Sequence, residues 1–426
     1  MLKKKIWIVQ DGTIVDPEIE KRFNDVLFNR DFKESKKKGK TYNFVGYLYK
    51  DDELLVSFPK NTFCTDEINE LSTNKPLLLK YLRLLYKCMF KTLSTLENKD
   101  NRYIDVKKEF NSSYPFISFL NVYKYFQQYG LFTSQEEIKK FGYQGRILWK
   151  DTINKSPKII NNNNLLFLPL VVTEKKNSLV FISKCMAYVI DSTLEKFSLF
   201  LEGETTGLNT KDINFLANNE IVKKLRSLKG TMFKNIHIKL IDDLIEFFSF
   251  KQLKGGDRRL VINSFYYVWE EMVRELLINH FVSVKNDLQL EFDLNEKRQN
   301  NFKKLRIYPD IRDKKGFYIE PDFYWENNDD KYIFDAKYYS EIESLDYKQI
   351  SYYFMLKDFS VNSDCIRKQL NTFNRLISPT YKENYIYLHF QLKEEYNHNE
   401  KNFNIVEQYL NVLTLMQIYT GYKINC

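Results

Sequence analysis

The sequence predicts an α+β protein in which a β-rich N-terminal region and a mixed, largely helical middle region precede a C-terminal α/β core. Three observations carry this. Short runs of alternating β-branched and aromatic residues fill 3–9 and 42–58. Apolar residues at three- and four-residue spacing dominate 77–96. From about 257 onward a helix, a three-stranded β run, a helix, a strand and a closing helix follow one another. The boundaries read from these shifts are 1–75, 76–253 and 254–426.

With 426 residues, 43% hydrophobic and 16% aromatic, the chain is long enough for two or three domains with real cores. Glycine and proline are scarce, which argues against long flexible linkers. A net charge of +9 permits contact with a phosphate backbone without requiring it. The five cysteines lie far apart with no CxxC pair, and the four histidines form no HExxH, so neither a zinc module nor a zinc hydrolase is expected. The start is basic, but its apolar run is too short for a signal peptide and Asp11 interrupts it. The longest strongly apolar run, Leu165 to Val172, is too short to span a bilayer. A soluble, cytoplasmic protein with no membrane partner is the expectation.

In chain order, residues 3–9 alternate like a strand and Asp11-Gly12 supplies a turn. The basic stretch Lys36-Lys37-Lys38-Gly39-Lys40-Thr41 ends like a phosphate loop. Glu34 stands where the first glycine belongs, and a strand follows instead of preceding it, so no nucleoside triphosphate site is expected. Strands follow over 42–49 and 54–58, then helices over 77–96 and 118–126. Gly145 to Ile153 reads as a tight turn with a buried Trp149. Apolar runs over 164–172 and 178–184 suggest a hairpin, and helices are expected over 208–226 and 234–251. Lys254-Gly255-Gly256-Asp257-Arg258-Arg259 is the best linker signal, its basic pair either solvated or set against a nucleic-acid backbone. Asn263 and Ser264 offer an N-cap for a helix over 265–281, with Phe265, Val268, Trp269, Met272 and Leu276 on its apolar stripe. An ion pair between Glu270 and Arg274 would be an ordinary feature there. Leu345 to Leu356 reads as a helix with Gln349 on its apolar side, 385–391 as a strand and 403–419 as a closing helix.

The chemistry concentrates in Phe317 to Tyr339. Alternation puts Phe317, Ile319, Phe323 and Trp325 on one face of a first strand, and Ile333, Asp335 and Lys337 on one face of a second. With the turn centred on Asn328-Asp329, Asp322 falls opposite Asp335, and Glu320 opposite Lys337. Facing carboxylates destabilise a strand pair unless a positive charge lies between them, and a hard divalent cation such as Mg²⁺ is the ordinary solution. Lys337 adds a proton donor or base beside Asp335. Pro321 removes a ladder donor where the chain must bend away. A solvated polar face on a surface hairpin is the alternative.

Pro321-Asp322, a turn, then Asp335-Ala336-Lys337 resembles the PD-(D/E)xK nuclease signature. The longer string Phe334 to Tyr339 is similar to the LlaJI-type restriction endonucleases, relatives of the McrC nuclease subunit of McrBC systems. Further similar segments are Phe44-Val45-Gly46-Tyr47 with Ser57-Phe58-Pro59-Lys60, then Gly145 to Ile153 and the Trp269-Glu270 pair. The likeness covers roughly 42–60, 145–153, 265–272 and 319–353 and departs from many superfamily members in having Asp335 where they carry Glu. It implies a restriction-endonuclease-like core over 254–426 that hydrolyses double-stranded DNA with Mg²⁺ in defence against foreign DNA. Asp322, Asp335 and Glu270 (favoured over Glu271) would hold metal, Lys337 would activate water or stabilise the transition state, and Gln349, with less weight Lys348, would orient water. It also implies that residues 1–75 dock on an McrB-like AAA+ GTPase partner. The alternatives are a self-sufficient site-specific endonuclease and a non-catalytic scaffold that stimulates a partner GTPase.

Overall fold

The strand Arg258–Ile262 runs between Val45–Lys50 and Phe110–Ser112, antiparallel to both, in a five-stranded sheet that continues through Glu53–Phe58 to Ile6–Gln10. Ile6–Gln10 and Glu53–Phe58 pair parallel at its edge. The residues that the sequence assigned to the start of a C-terminal domain therefore complete the N-terminal sheet. Leu260, Val261 and Ile262 are all buried, as a central strand covered on both faces requires. Gly46 makes the close pairing possible: its φ is 135°, and a Cβ there would lie 2.2 Å from the Leu260 carbonyl oxygen.

The structure is a computed structural model and describes residues 5–35, 39–51, 53–96, 109–161, 164–198, 200–250, 258–286, 288–312, 316–327, 329–357, 370–396 and 403–423. The expected linker at 254–257 and the lysines at 36–38 lie outside these residues. By its contacts the chain divides into two units, Met1–Tyr114 with Gln252–Cys426, and Pro115–Lys251. Among the described residues no helix is long and apolar enough to cross a membrane.

Arg259 is no nucleic-acid contact. It is 4% exposed, and its guanidinium donates to both Asp31 carboxylate oxygens (2.9 and 2.6 Å), to the Val26 carbonyl (2.8 Å) and to Asn111 (2.8 Å). Asn263 donates to the same Asp31 and to the Asn43 carbonyl, so it is spent on this junction and leaves the next helix, Tyr266–His280, without a side-chain cap.

The second sheet of this unit is mixed, in the order Phe323–Glu326, Asp330–Ala336, Asn371–Thr380, Asn404–Asn411, Tyr385–Gln391. Its three central strands are parallel and its two edges antiparallel. The apolar spacing over 403–419 predicted a single helix. Instead it forms the strand Asn404–Asn411, buried along almost its whole length, and then the helix Val412–Thr420. A strand covered on both faces has no alternation to distinguish it from a buried helix. Asn411 makes the break, since its side chain accepts from the Thr414 amide at 2.8 Å and donates to the Tyr381 carbonyl at 2.9 Å. Lys75–Leu96, Tyr266–His280 and Val412–Thr420 pack together, tied by Lys91 to Glu275 (2.6 Å) and by a hydroxyl contact between Thr92 and Tyr419 (3.1 Å).

The other unit holds the helices Phe116–Tyr129, Phe181–Lys196, Asn218–Lys229 and Asn235–Ser249. It also carries a long ladder of Leu170–Leu179 with Thr133–Gly142, so the hairpin expected across 164–172 and 178–184 is not formed. Residues 164–167 pair with 158–161 instead, and the chain from Phe181 is already helical. Residues 208–217 are also not helical. The side chains of Asn209 and Asn214 accept from backbone amides two residues on (3.0 and 3.1 Å), local bonds that compete with a helix. Gly145 makes the expected tight turn, with φ 115° and room for a Cβ denied by the Thr173 carbonyl oxygen at 2.4 Å. Trp149, however, is 57% exposed; the buried residue is Thr152, whose hydroxyl accepts from the Val171 amide at 3.0 Å.

Breaking one partner of a buried ion pair strands the other charge and costs about 3–5 kcal/mol. Asp31→Ala is therefore expected to lower the thermal unfolding midpoint by about 5 °C or more, followed by circular dichroism. A midpoint within a degree of wild type would contradict the role given to this pair.

Candidate active site

An antiparallel ladder pairs Phe323 with Phe334, Tyr324 with Ile333, Trp325 with Tyr332 and Glu326 with Lys331. The turn is held by Asn327, whose side-chain oxygen accepts from the Asp329 and Asp330 amides at 3.1 and 2.7 Å; Asn328 lies outside the described residues. On one side of the pair, Tyr332 and Phe334 join Phe281, Phe302 and Trp325 in a ring cluster with centroids 5.1–6.2 Å apart. On the other, Ile333 packs with Tyr324, Tyr352 and Leu356. One step past the ladder come Asp322 and Asp335.

There the two carboxylates are held by each other's strands. Asp322 donates its amide to Asp335 Oδ1 (3.4 Å), and the Ala336 amide donates to Asp322 Oδ2 (3.1 Å). Lys337 Nζ stands 2.5 Å from Asp335 Oδ2 and 2.8 Å from Asp346 Oδ2. Burial, and then the Asp322 charge beside it, push the Asp335 carboxyl up to about 7 against the pull of Lys337. Burial works to lower the Lys337 ammonium, but Asp335 and Asp346 outweigh it and hold the amine above its ordinary range. For Asp346 burial raises and Lys337 lowers, with the net below the usual carboxylate value.

Glu320 does not face Lys337. The chain turns away at Pro321, and Ile319 exchanges amide bonds with Ile307 (3.0 and 2.9 Å) instead of extending the hairpin ladder. Glu320 is ion-paired with Arg306, and with Lys304 at 3.5 Å. Burial alone would raise its pKa, but Arg306 and Lys304 bring it below the usual range. Lys304 Nζ also lies 3.3 Å from Asp322 Oδ1 and 3.6 Å from Glu270 Oε1. Glu270 thus turns toward the Asp322 side of the site. The pair expected between Glu270 and Arg274 is absent: Arg274 grips Glu271, which is buried, with Nε at 2.7 Å and a second bond from Nη2.

Gln349 is fully buried. Its amide donates to the Ile333 carbonyl at 3.0 Å and to Asn374 Oδ1, while the Asn374 amide returns a bond to the Gln349 carbonyl at 3.0 Å. It fastens the helix Tyr347–Leu356 to the strands, and its side-chain hydrogen bonds go to Ile333, Asn374 and Arg375, not to Asp322, Asp335 or Lys337; Lys348 on the same helix is exposed. Two residues join the site that sequence reasoning missed. Asp346 caps that helix, accepting from the Gln349 amide at 3.1 Å, and its position just before an apolar stripe was a legible cap signal. Lys304 arrives through the non-local bridge of Lys303 to Tyr324, which leaves no local trace.

The donors are all hard oxygens, and burial together with the facing Asp322 raises the Asp335 carboxyl, so the site suits a hard divalent cation in donor chemistry. The ligands are not preassembled: among the described residues no three His, Cys, Asp or Glu side chains stand ready to hold a metal together. Lys304 occupies the ground between Glu270, Glu320 and Asp322.

No family model matches the chain, and no curated protein does either. Among solved structures, it is similar to a chain of a Thermococcus gammatolerans assembly described as McrB AAA+ hexamers with bound McrC, at 12% identity over 98% of both chains and a TM-score of 0.37. A chain of the Thermococcus gammatolerans McrBC complex is 14% identical over 57% of this chain and 70% of that one, with a TM-score of 0.15. The fold and site define an α+β protein with a carboxylate pair, Asp335 buried and Asp322 half-buried, and a lysine at the edge of a mixed sheet.

A carboxyl raised from its ordinary 3.8 to about 7 stays protonated in the native state across a range where the unfolded chain is ionised. Its stabilising contribution is present in full below pH 4 and is lost as pH rises through 7. Without divalent metal, wild type is expected to lose more thermal stability between pH 5 and 8 than Asp335→Asn, by about 2 °C or more in scanning fluorimetry. Parallel pH profiles would contradict the charge crowding.

Proposed function

We propose that the chain is a Mg²⁺-dependent DNA endonuclease of the PD-(D/E)xK type, LlaJI- and McrC-like, acting as the nuclease subunit beside an McrB-like AAA+ GTPase in defence against foreign DNA. The observation that carries the chemistry is the meeting of Asp322, Asp335 and Lys337 at one end of a strand pair. In this reading Asp322 and Asp335, joined by Glu270, hold Mg²⁺. Bound there, the ion would lower the pKa of an attacking water and neutralise charge on the phosphate. Lys337 keeps its proton, as its two carboxylate neighbours favour, and so serves as an electrostatic clamp on the scissile phosphate and a proton source for the leaving oxygen. Asp346 fixes where that ammonium points. Gln349 keeps the Asp335 strand in register with its neighbour.

The partner assignment rests on the resemblance in the N-terminal and hairpin segments. A further observation favours a protein partner of some kind: in the unit Pro115–Lys251, Phe141, Tyr143, Trp149, Ile160 and Leu165 are all more than half exposed.

Supercoiled plasmid is the direct substrate. Incubated with Mg²⁺, the AAA+ partner and GTP, wild type is expected to linearise it, and Lys337→Ala to lose about 100-fold or more of that rate. Cutting without the partner would identify a self-sufficient enzyme. No cutting under any condition, with the partner's GTPase still stimulated, would replace the nuclease reading with a scaffold.

A further inference from the structure

We propose that Lys304 is a positioning residue that stands in for the divalent ion: its ammonium holds Asp322 and Glu270, two of the metal-ligand carboxylates, together while the site is metal-free, and yields its place when the ion binds. This rests on the reading of Asp322, Asp335 and Glu270 as a metal centre.

Lys304 is delivered by a strap with two fastenings. Before it, Asn300 donates to the Leu277 and Phe281 carbonyls at 3.0 and 2.7 Å, anchoring the segment to the end of the helix that carries Glu270. Around it, Lys303 exchanges amide bonds with Tyr324 (3.0 and 2.9 Å), and Ile307 does so with Ile319 (3.0 and 2.9 Å). The backbone on both sides of Lys304 is thus bonded to the segment that carries Glu320 and Asp322.

The ammonium then meets three carboxylates from two segments of the chain: Asp322 at 3.3 Å and Glu320 at 3.5 Å from one, and Glu270 at 3.6 Å from the other. All three distances exceed the roughly 2.7–2.9 Å of a charge-assisted hydrogen bond. Lys337 is different, since it is locked on two carboxylates at 2.5 and 2.8 Å. Lys304 is shared among these three anions. A compact charge on a flexible four-carbon stem suits that role, and its side chain is 29% exposed, so a way out exists.

Five carboxylates face three cationic side chains here: Glu270, Glu320, Asp322, Asp335 and Asp346 against Lys304, Arg306 and Lys337. Exchanging one ammonium for a doubly charged ion narrows that imbalance.

Isothermal titration of the full-length chain with Mn²⁺, in the absence of DNA, tests this. Lys304→Met, which leaves the ion no competitor, is expected to bind Mn²⁺ about tenfold more tightly than wild type, and Lys304→Gln likewise. Lys304→Arg, which keeps the charge, should match wild type. Equal affinity in wild type, Lys304→Met and Lys304→Gln, with Asp335→Asn abolishing binding, would overturn the role of Lys304 and leave the metal centre standing. Absence of binding in all four proteins would overturn both.

Discussion

The register of one short antiparallel ladder governs the site. Phe334 opposite Phe323 places Asp335 next to Asp322, and a slip of one residue would turn Asp335 to the side of the ring cluster. What prevents the slip is packing on both faces. Phe281, Phe302 and Trp325 hold Tyr332 and Phe334 on one side, and Tyr352 and Leu356 hold Ile333 on the other. A like-charge pair thus persists where it would not form by itself, because the apolar burial around it fixes the backbone on which it rides.

The rest of the larger unit supports that ladder. Asp330–Ala336 runs parallel to Asn371–Thr380, and Gln349 and Asn374 bond across from helix to sheet at its centre. Lys331, buried, donates to the Leu356 and Lys357 carbonyls at 2.6 and 3.0 Å and satisfies the end of the same helix. The chain leaving Lys337 is gripped by the N-terminal sheet. The Lys60 amide donates to the Tyr338 hydroxyl at 2.9 Å, and Asn61 donates to the Ser340 and Pro379 carbonyls at 2.9 and 3.1 Å. The N-terminal strands and the carboxylate pair therefore belong to one unit, joined one and three residues beyond the lysine.

Much of the hairpin was legible in the sequence because it obeys local rules. Strict alternation, an Asn/Asp turn and a proline just before the first aspartate set both its register and its end. The proline's further effect, sending Glu320 to Arg306 and Lys304 instead of to Lys337, depends on a strand-like segment around Ile307 that carries no alternation of its own. Asn404–Asn411 was misread because a strand buried on both faces reads as an apolar run, and only its partners decide whether it is helix or strand. Arg258–Ile262 was missed for a different reason: the glycines before it and its basic pair read as a linker. Glu270 and Glu271 are neighbours of identical chemistry. Arg274 separates them, and it pairs three residues away where the sequence suggested four.

The central claim is that Asp322 and Asp335 share a cation. The most direct test is a crystal of the chain soaked in Mn²⁺ and measured at a wavelength where manganese scatters anomalously. The account predicts a single strong anomalous peak within coordination distance of both carboxylates, with the Lys304 ammonium moved away from Asp322. A peak elsewhere, with the Asp322 and Asp335 side chains unchanged and no density between them, would contradict it.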